Sequence, residues 1–170
     1  MTLKLPLDIC RQIDAADGWL ELGVPLSANE ELEQVPSEWK AHPEVLLRRV
    51  WVYAEFKKWE ECREISNSIV NVDPSIPEGW INRSFALHEM KRTNEAFDFL
   101  LPAAEKFPKV WIIPCNLACY CCQTGRCPDA ETWFKRAMEI DEQEVKKAAI
   151  DDPDLEPLWQ SKSGSTWTAI

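Results

Sequence analysis

Small and apolar residues recur along this chain at helical spacing, and the pattern itself repeats with a longer period. Segments 43–76 and 77–110 align without gaps, and a further shift of 34 residues in either direction gives 111–144 and 9–42. Each unit has the pattern of two amphipathic helices around a turn. We therefore predict eight helices in pairs. The turns are predicted near Gly23, Lys57, Lys91 and Gly125.

Three positions of the period hold small or apolar side chains in every unit. Small residues let two helices approach closely, as the helices of a hairpin must. The eighth position holds Ala16, Val50, Ser84 and Ala118, the twentieth Ala28, Cys62, Ala96 and Ala130, and the twenty-seventh Val35, Ile69, Ala103 and Ala137. We expect all of them to be buried. At the second helices, Ser27 with Glu30 has the pattern of a capping box.

The period and its residues resemble the tetratricopeptide repeat. The third unit matches that pattern best, at Trp80, Ser84, Ala96, Ala103 and Pro108. The resemblance implies an all-α fold, a right-handed superhelical stack of four helical hairpins closed by a C-terminal capping helix. Segment 148–159, AAIDDPDLEPLW, also looks like the closing segment of bacterial members of this family.

The expected domain organisation follows from these units. We predict a single domain over 1–159, with repeats 9–42, 43–76, 77–110 and 111–144 and a cap at 145–159. In the cap, Leu155, Leu158 and Trp159 are expected to cover the open end of the stack. Segment 160–170 is expected to be a flexible tail, and its end, 168–170, matches a short pattern that PDZ domains bind.

The composition and net charge of the chain limit the classes of partner that we expect it to bind. The formal net charge is −10, and such a chain is repelled by nucleic-acid phosphates and anionic lipid. The sequence contains no apolar run long enough to span a membrane, and its N-terminus lacks the pattern of a signal peptide. We therefore expect a cytoplasmic protein with reduced thiols and no nucleic-acid or membrane partner.

Five of the seven cysteines lie close together in the fourth unit. At about 100° per residue, Cys115, Cys119 and Cys122 share one helical face, which the family resemblance places on the concave side and makes accessible. Three thiolates on one face could ligate a soft metal, so a thiol- or metal-responsive sensor is one alternative. The Cys119–Cys122 spacing lies in mid-helix, however, and no fourth ligand is close in sequence. We favour packing, and predict no metal and no cofactor.

Catalysis finds little support in the residue pattern. The sequence has no phosphate-binding loop, dinucleotide fingerprint or nucleophile elbow. His88 is expected to be a solvated histidine. Trp19, Trp59, Trp80 and Trp133 occupy positions at which the repeat usually packs, whereas Trp51 does not. We predict that the chain is not an enzyme.

The family resemblance also implies a concave groove, lined by fixed positions of each first helix. The expected partner-binding residues are Glu44, Leu47, Trp51, Glu55, Glu78, Ile81, Phe85, His88, Glu89, Cys115, Cys119 and Cys122. This stripe is apolar with an acidic edge and contains no lysine or arginine. We therefore predict a protein-interaction scaffold that binds a basic, amphipathic peptide or helix of another protein. A further alternative is a structural module that self-associates, as a homo-oligomer or with a groove filled by its own segments.

Overall fold

The helices follow the predicted pairs closely. In a computed structural model that describes residues 4–160, every regular element is helical and none of the described residues forms a strand. The elements are α1 (Leu7–Glu21), α2 (Pro25–Glu33), α3 (Pro43–Glu55), α4 (Trp59–Val72), α5 (Pro77–Glu89), α6 (Thr93–Leu100), α7 (Ala103–Lys106), α8 (Ile112–Gln123), α9 (Cys127–Ile140), α10 (Glu142–Ala149), a 3-10 turn (Pro153–Leu155) and α11 (Glu156–Trp159). The all-α helical-repeat fold is confirmed. None of the helices described is long and apolar enough to cross a membrane.

The four turns between paired helices share one backbone geometry. In each, one residue adopts a positive φ, its N–H donates to the carbonyl three residues back, and the next N–H donates to the carbonyl five residues back. This arrangement ends a helix with a left-handed residue, which favours glycine. The φ values are 69° at Gly23, 54° at Lys57, 63° at Lys91 and 74° at Gly125. The predicted turn positions are therefore confirmed.

The small residues at the three repeated positions are buried, as expected. Ala16, Ala96 and Ala130 have no exposed surface, and Val50 and Cys62, which stand at equivalent positions, are nearly as deeply buried. Because each sits where neighbouring helices cross, a larger side chain there would overpack the crossing.

The chain forms two compact units, and the boundary between them lies inside α5, after Ala86. In the first unit, α1, α2 and α3 enclose a core around Ile9, Ile13, Leu32 and Val45. A second cluster joins α3 and α4 to α5 through Leu47, Ile69 and Ala86, among others. Gly79 of α5 fits closely against Ile69, because a Cβ there would lie 3.0 Å from its side chain.

In the second unit, α8 is the central element. It packs against α6, α7 and α9, and also against the 3-10 turn and α11 of the C-terminal segment. Its Leu117 and Tyr120 are buried, together with Leu155 and Leu158 of that segment. The predicted cap at 145–159 is thus helical over Glu142–Ala149 and Glu156–Trp159. The single domain expected over 1–159 stays a prediction.

Local details differ from the expectations in three places. The second helix of the third repeat is broken between α6 and α7, since Pro102 cannot continue its hydrogen-bond ladder. The capping box at Ser27 is wrong, because α2 begins at Pro25 and places Ser27 inside the helix. Trp19 was expected to pack but is 38% exposed. The tail predictions for 161–170 fall outside the described residues.

Candidate functional site

The predicted groove residues of the first unit lie on α3 and α5, and we call them the α3–α5 face. By helical spacing, each helix presents its members on one side. Trp51 and Phe85 stand 34 residues apart at equivalent repeat positions, and they are 41% and 42% exposed. Leu47 is buried and Ile81 half-buried beneath them. The complete face comprises Glu44, Leu47, Trp51, Glu55, Glu78, Ile81 and Phe85.

Arg48 holds Trp51 in place. Its guanidinium carbon lies 5.1 Å from the centre of the Trp51 ring, a cation–π distance. The same guanidinium donates to the carboxylate of Asp17 on α1 at 3.1 Å and to that of Glu44 at 2.5 Å. Burial opposes its charge, but the hydrogen bonds and charges of Asp17 and Glu44 outweigh this, and the pKa of Arg48 is raised.

Arg48 is not one of the predicted stripe residues, but it reaches the face through its contacts with Trp51 and Glu44. Arg48 stands one helical turn after Glu44, and this i, i+4 spacing of opposite charges was the signal in the sequence. The pairing with Asp17 had no such signal, because the two residues are 31 positions apart. Arg48 is thus present on the face, but its donors are used internally.

Phe85 is supported from the side. The ring of Trp59, at the start of α4, meets it edge-on, with ring centres 5.8 Å apart and an angle of 84° between the planes. Edge-to-face geometry is the favoured arrangement of an aromatic pair. Phe85 is therefore held in one orientation while part of its ring stays open to solvent.

The acidic groups of the α3–α5 face differ in their pairing. Glu44 is neutralised by Arg48. Glu55 and Glu78 are exposed, and neither forms an ion pair within residues 4–160. The face therefore keeps two unpaired carboxylates beside its exposed aromatic rings, which gives it a local negative potential.

The predicted groove residues of the second unit lie in a different environment. His88 was expected to be solvated, but it is 6% exposed. Its Nε2 lies 2.8 Å from Oδ2 of Asp154, its Nδ1 lies 3.0 Å from Oγ1 of Thr93, and its ring packs on Tyr120. Because a carboxylate only accepts, Nε2 donates to Asp154. A hydroxyl, an imidazole and a carboxylate in line resemble a hydrolase triad, but the ring is buried and its bond to Asp154 ties α5 to the C-terminal segment.

The thiols of α8 were expected to be accessible, and this expectation is wrong. Cys115, Cys119 and Cys122 are all buried. The Cys119 thiol lies 3.5 Å from Oδ2 of Asp152. Its hydrogen bond with Cys115, burial and the nearby Asp152 raise the pKa of Cys119 well above its usual value. Burial likewise raises the pKa of Cys122 to about 11. Such thiols stay protonated at neutral pH and are poor nucleophiles.

The C-terminal segment accounts for this burial. Its 3-10 turn contacts α8, where Gln123 donates to the backbone carbonyl of Asp154 at 3.1 Å. Leu155 and Leu158 have no exposed surface. In the second unit, then, the predicted groove positions on α8 are covered by the chain's own segment. Glu89, the last residue of α5, remains half-buried at its surface.

The described side chains form no arrangement that supports metal binding. Within residues 4–160, no group of three or more His, Cys, Asp or Glu side chains is placed to hold an ion. All seven cysteines are free thiols. The prediction that the chain carries no metal remains open to measurement.

Comparisons with known proteins identify the fold. Neither a protein-family model nor a curated protein matches the chain. A thermophilic tetratricopeptide-repeat protein of Thermus thermophilus, TTC0263, superposes with a TM-score of 0.73 at 15% identity, over 88% of this chain and 86% of that one. MamA MSR-1 matches with a TM-score of 0.65 at 20% identity, over 81% of this chain and 79% of that one. A further MamA structure matches with a TM-score of 0.69 at 12% identity, over 81% of each chain. At these identities the likeness establishes the tetratricopeptide-repeat fold.

Proposed function

We propose that this chain, which has the tetratricopeptide-repeat fold, is a non-enzymatic protein-interaction scaffold. We place its binding surface on the α3–α5 face, and the ligand we propose is a basic, amphipathic peptide or helix of another protein. One observation carries the proposal. Trp51 and Phe85 occupy equivalent positions on successive first helices, and both remain about two-fifths exposed.

The two aromatic residues have the character of binding hot spots. Large aromatic side chains contribute a disproportionate share of the free energy of association, because they bury much surface at little entropic cost. Arg48 and Trp59 already hold Trp51 and Phe85 in fixed orientations. A partner would therefore lose little further conformational entropy from this side of the interface.

The charges of the face favour a basic ligand. Glu55 and Glu78 have no ion-pair partner among the described residues, so a lysine or arginine of the ligand would find a free carboxylate. A ligand that ends in a carboxylate suits the face less well. The donors of Arg48 point to Asp17 and Glu44, which leaves no free clamp for an anion.

The alternatives are weaker for particular reasons. A thiol sensor needs accessible, acidic thiols, whereas the pKa of Cys119 is raised and its side chain is buried. A groove filled by the chain itself describes α8 of the second unit but not the exposed rings of the α3–α5 face. We keep the cytoplasm as the proposed location, because seven free thiols suit a reducing compartment.

The test replaces one anchor and a matched tryptophan elsewhere. Trp51→Ala should weaken partner binding by about 2 kcal/mol or more, mainly through faster dissociation, because it removes the largest exposed ring of the face. Trp19→Ala removes a similarly exposed ring from α1 and should leave binding unchanged. Partners are captured from host lysate by cross-linking, identified by mass spectrometry, and measured as purified proteins by surface plasmon resonance.

The charge component is tested separately. Changing both Glu55 and Glu78 to lysine should slow association, and 0.5 M salt should remove much of the difference, as expected from a Debye length of about 4 Å at that ionic strength. If Trp51→Ala captures the same partners with the kinetics of the wild type, the α3–α5 face is not the binding surface.

A further inference from the structure

A second open feature of the first unit lies apart from the α3–α5 face. It is a groove of about 520 Å³ between α2 and the turn that joins α3 to α4, and we call it the Lys58 groove. None of its lining residues belongs to the α3–α5 face. They are Leu26, Asn29, Glu33, Tyr53, Phe56 and Lys58.

Much of the apolar surface that lines the groove is exposed to solvent. Leu26 is 62% exposed and Phe56 is 40% exposed, while Tyr53 is half-buried. Leu22 and Val24, at the turn before α2, are exposed as well. Apolar side chains grouped around a concavity, and rimmed by polar residues, mark a surface that gains free energy when another apolar group covers it.

Two charged side chains line the groove, Glu33 and Lys58, and only the carboxylate already has an ion-pair partner among the described residues. Glu33 is already bound by Arg49 at 2.8 Å and by Lys40 at 3.0 Å. The hydrogen bond from Arg49, with that from Lys40, lowers the pKa of Glu33, so this carboxylate is ionised and matched by two cations.

Lys58 is the cation of the groove that lacks a counter-ion. Its Nζ lies 5.5 Å from the ring centre of Tyr53 and 6.0 Å from that of Phe56. It forms no ion pair within the described part of the chain. The aromatic rings thus hold the ammonium group at the apolar wall, where a carboxylate would be attracted and partly desolvated.

From this arrangement we propose that the Lys58 groove is a second docking site, for an acidic amphipathic peptide of a partner protein. Apolar side chains of the peptide cover Leu26 and Phe56, and a glutamate or aspartate pairs with Lys58. The charge preference is opposite to that of the α3–α5 face, so the two surfaces accept different segments and do not compete.

The experiment uses two labelled peptides of equal length on the full chain. Both carry leucine and phenylalanine at i, i+3 and i+4 spacing. One has glutamate at the remaining positions, and its control has glutamine there. Fluorescence anisotropy at low salt should show saturable binding of the glutamate peptide. Lys58→Gln should weaken that binding about fivefold, the loss of a pair worth about 1 kcal/mol.

Matched variants distinguish binding in the Lys58 groove from a general effect of the charge of the chain. Lys109→Gln removes one exposed lysine of the second unit and should leave the affinity unchanged. Leu26→Ser should weaken the glutamate peptide about tenfold through lost apolar contact. Trp51→Ala should not affect it. Because Leu26 and Lys58 are exposed, thermal unfolding of these variants should match the wild type.

Several outcomes would overturn the proposal. One is the absence of saturable binding, and another is equal affinity for the two peptides. A third is a loss on Trp51→Ala as large as that on Lys58→Gln, which would move the site to the α3–α5 face. Analytical ultracentrifugation of the chain alone gives a fourth: a dimer that is lost in Leu26→Ser would make a second copy the occupant.

Discussion

Four equivalent residues carry the left-handed turns, yet only two of them are glycine. Lys57 and Lys91 adopt φ values of 54° and 63°, where a side chain costs about 1–2 kcal/mol relative to the right-handed region. Glycine has no such cost but loses more conformational entropy on folding. The difference between these two terms sets the effect of a substitution.

We predict that Lys91→Gly raises the free energy of unfolding by about 0.5–1 kcal/mol. The opposite change at the equivalent turn, Gly125→Ala, should lower it by about 1 kcal/mol, although a Cβ there would meet no atom within 4 Å. Urea unfolding followed by circular dichroism measures both. Destabilisation by Lys91→Gly would mean that the lysine side chain contributes more than its backbone strain costs.

The buried thiols make the folded state sensitive to high pH. Burial raises the pKa of Cys62, Cys121 and Cys122 to about 11, from 9.0 for a free thiol. Between these values the unfolded chain has lost protons that the folded chain keeps. The stability from these groups is therefore complete below pH 9 and is lost as the pH rises toward 11.

We predict a decline of the unfolding free energy above pH 9, with a slope of up to about 1.4 kcal/mol per pH unit for each buried thiol. Cys62→Ala should reduce this slope, whatever it does to stability at pH 7. Urea titrations at a series of pH values provide the measurement. A slope that Cys62→Ala leaves unchanged would assign the decline to other groups.

At the scale of elements, the contact of the C-terminal segment with α8 is the feature that shapes the second unit. The segment inserts Leu155 and Leu158 and places Asp154 against His88. The ring of His88 is buried, so the loss of its carboxylate partner would leave a donor unsatisfied.

Asp154→Ala should therefore lower the free energy of unfolding by about 1–3 kcal/mol. Asp151→Ala serves as the control, because Asp151 is exposed and its replacement removes the same charge from the same segment. Urea unfolding of both variants, followed by circular dichroism, reports the difference. Equal effects of the two variants would show that His88 gains nothing measurable from Asp154.

At the scale of the whole molecule, charge is distributed unevenly over the surface. The net charge is −10, and the α3–α5 face contributes two unpaired carboxylates to it. In the Lys58 groove, Glu33 is paired with Arg49 and Lys40, whereas Lys58 forms no ion pair among the described residues. The net charge argues against polyanions as general partners, but it does not reveal where the unpaired charges lie.

The sequence by itself determined the repeat. Its period placed the turns at Gly23, Lys57, Lys91 and Gly125, and its small residues marked the helix crossings, because hairpins depend on contacts between residues close in sequence. The exposure of Trp51 was also expected from the sequence, since it stands on the first helix at a position that does not usually pack.

Only the tertiary structure decided which of the predicted groove positions are open. Arg48 is neutralised by Asp17, 31 residues away, and His88 is buried by Asp154, 66 residues away. Neither separation is a multiple of the helical or the repeat period, so no pattern along the chain predicts the pairing. The second-unit positions on α8 are covered for the same reason: their burial depends on where a distant segment packs.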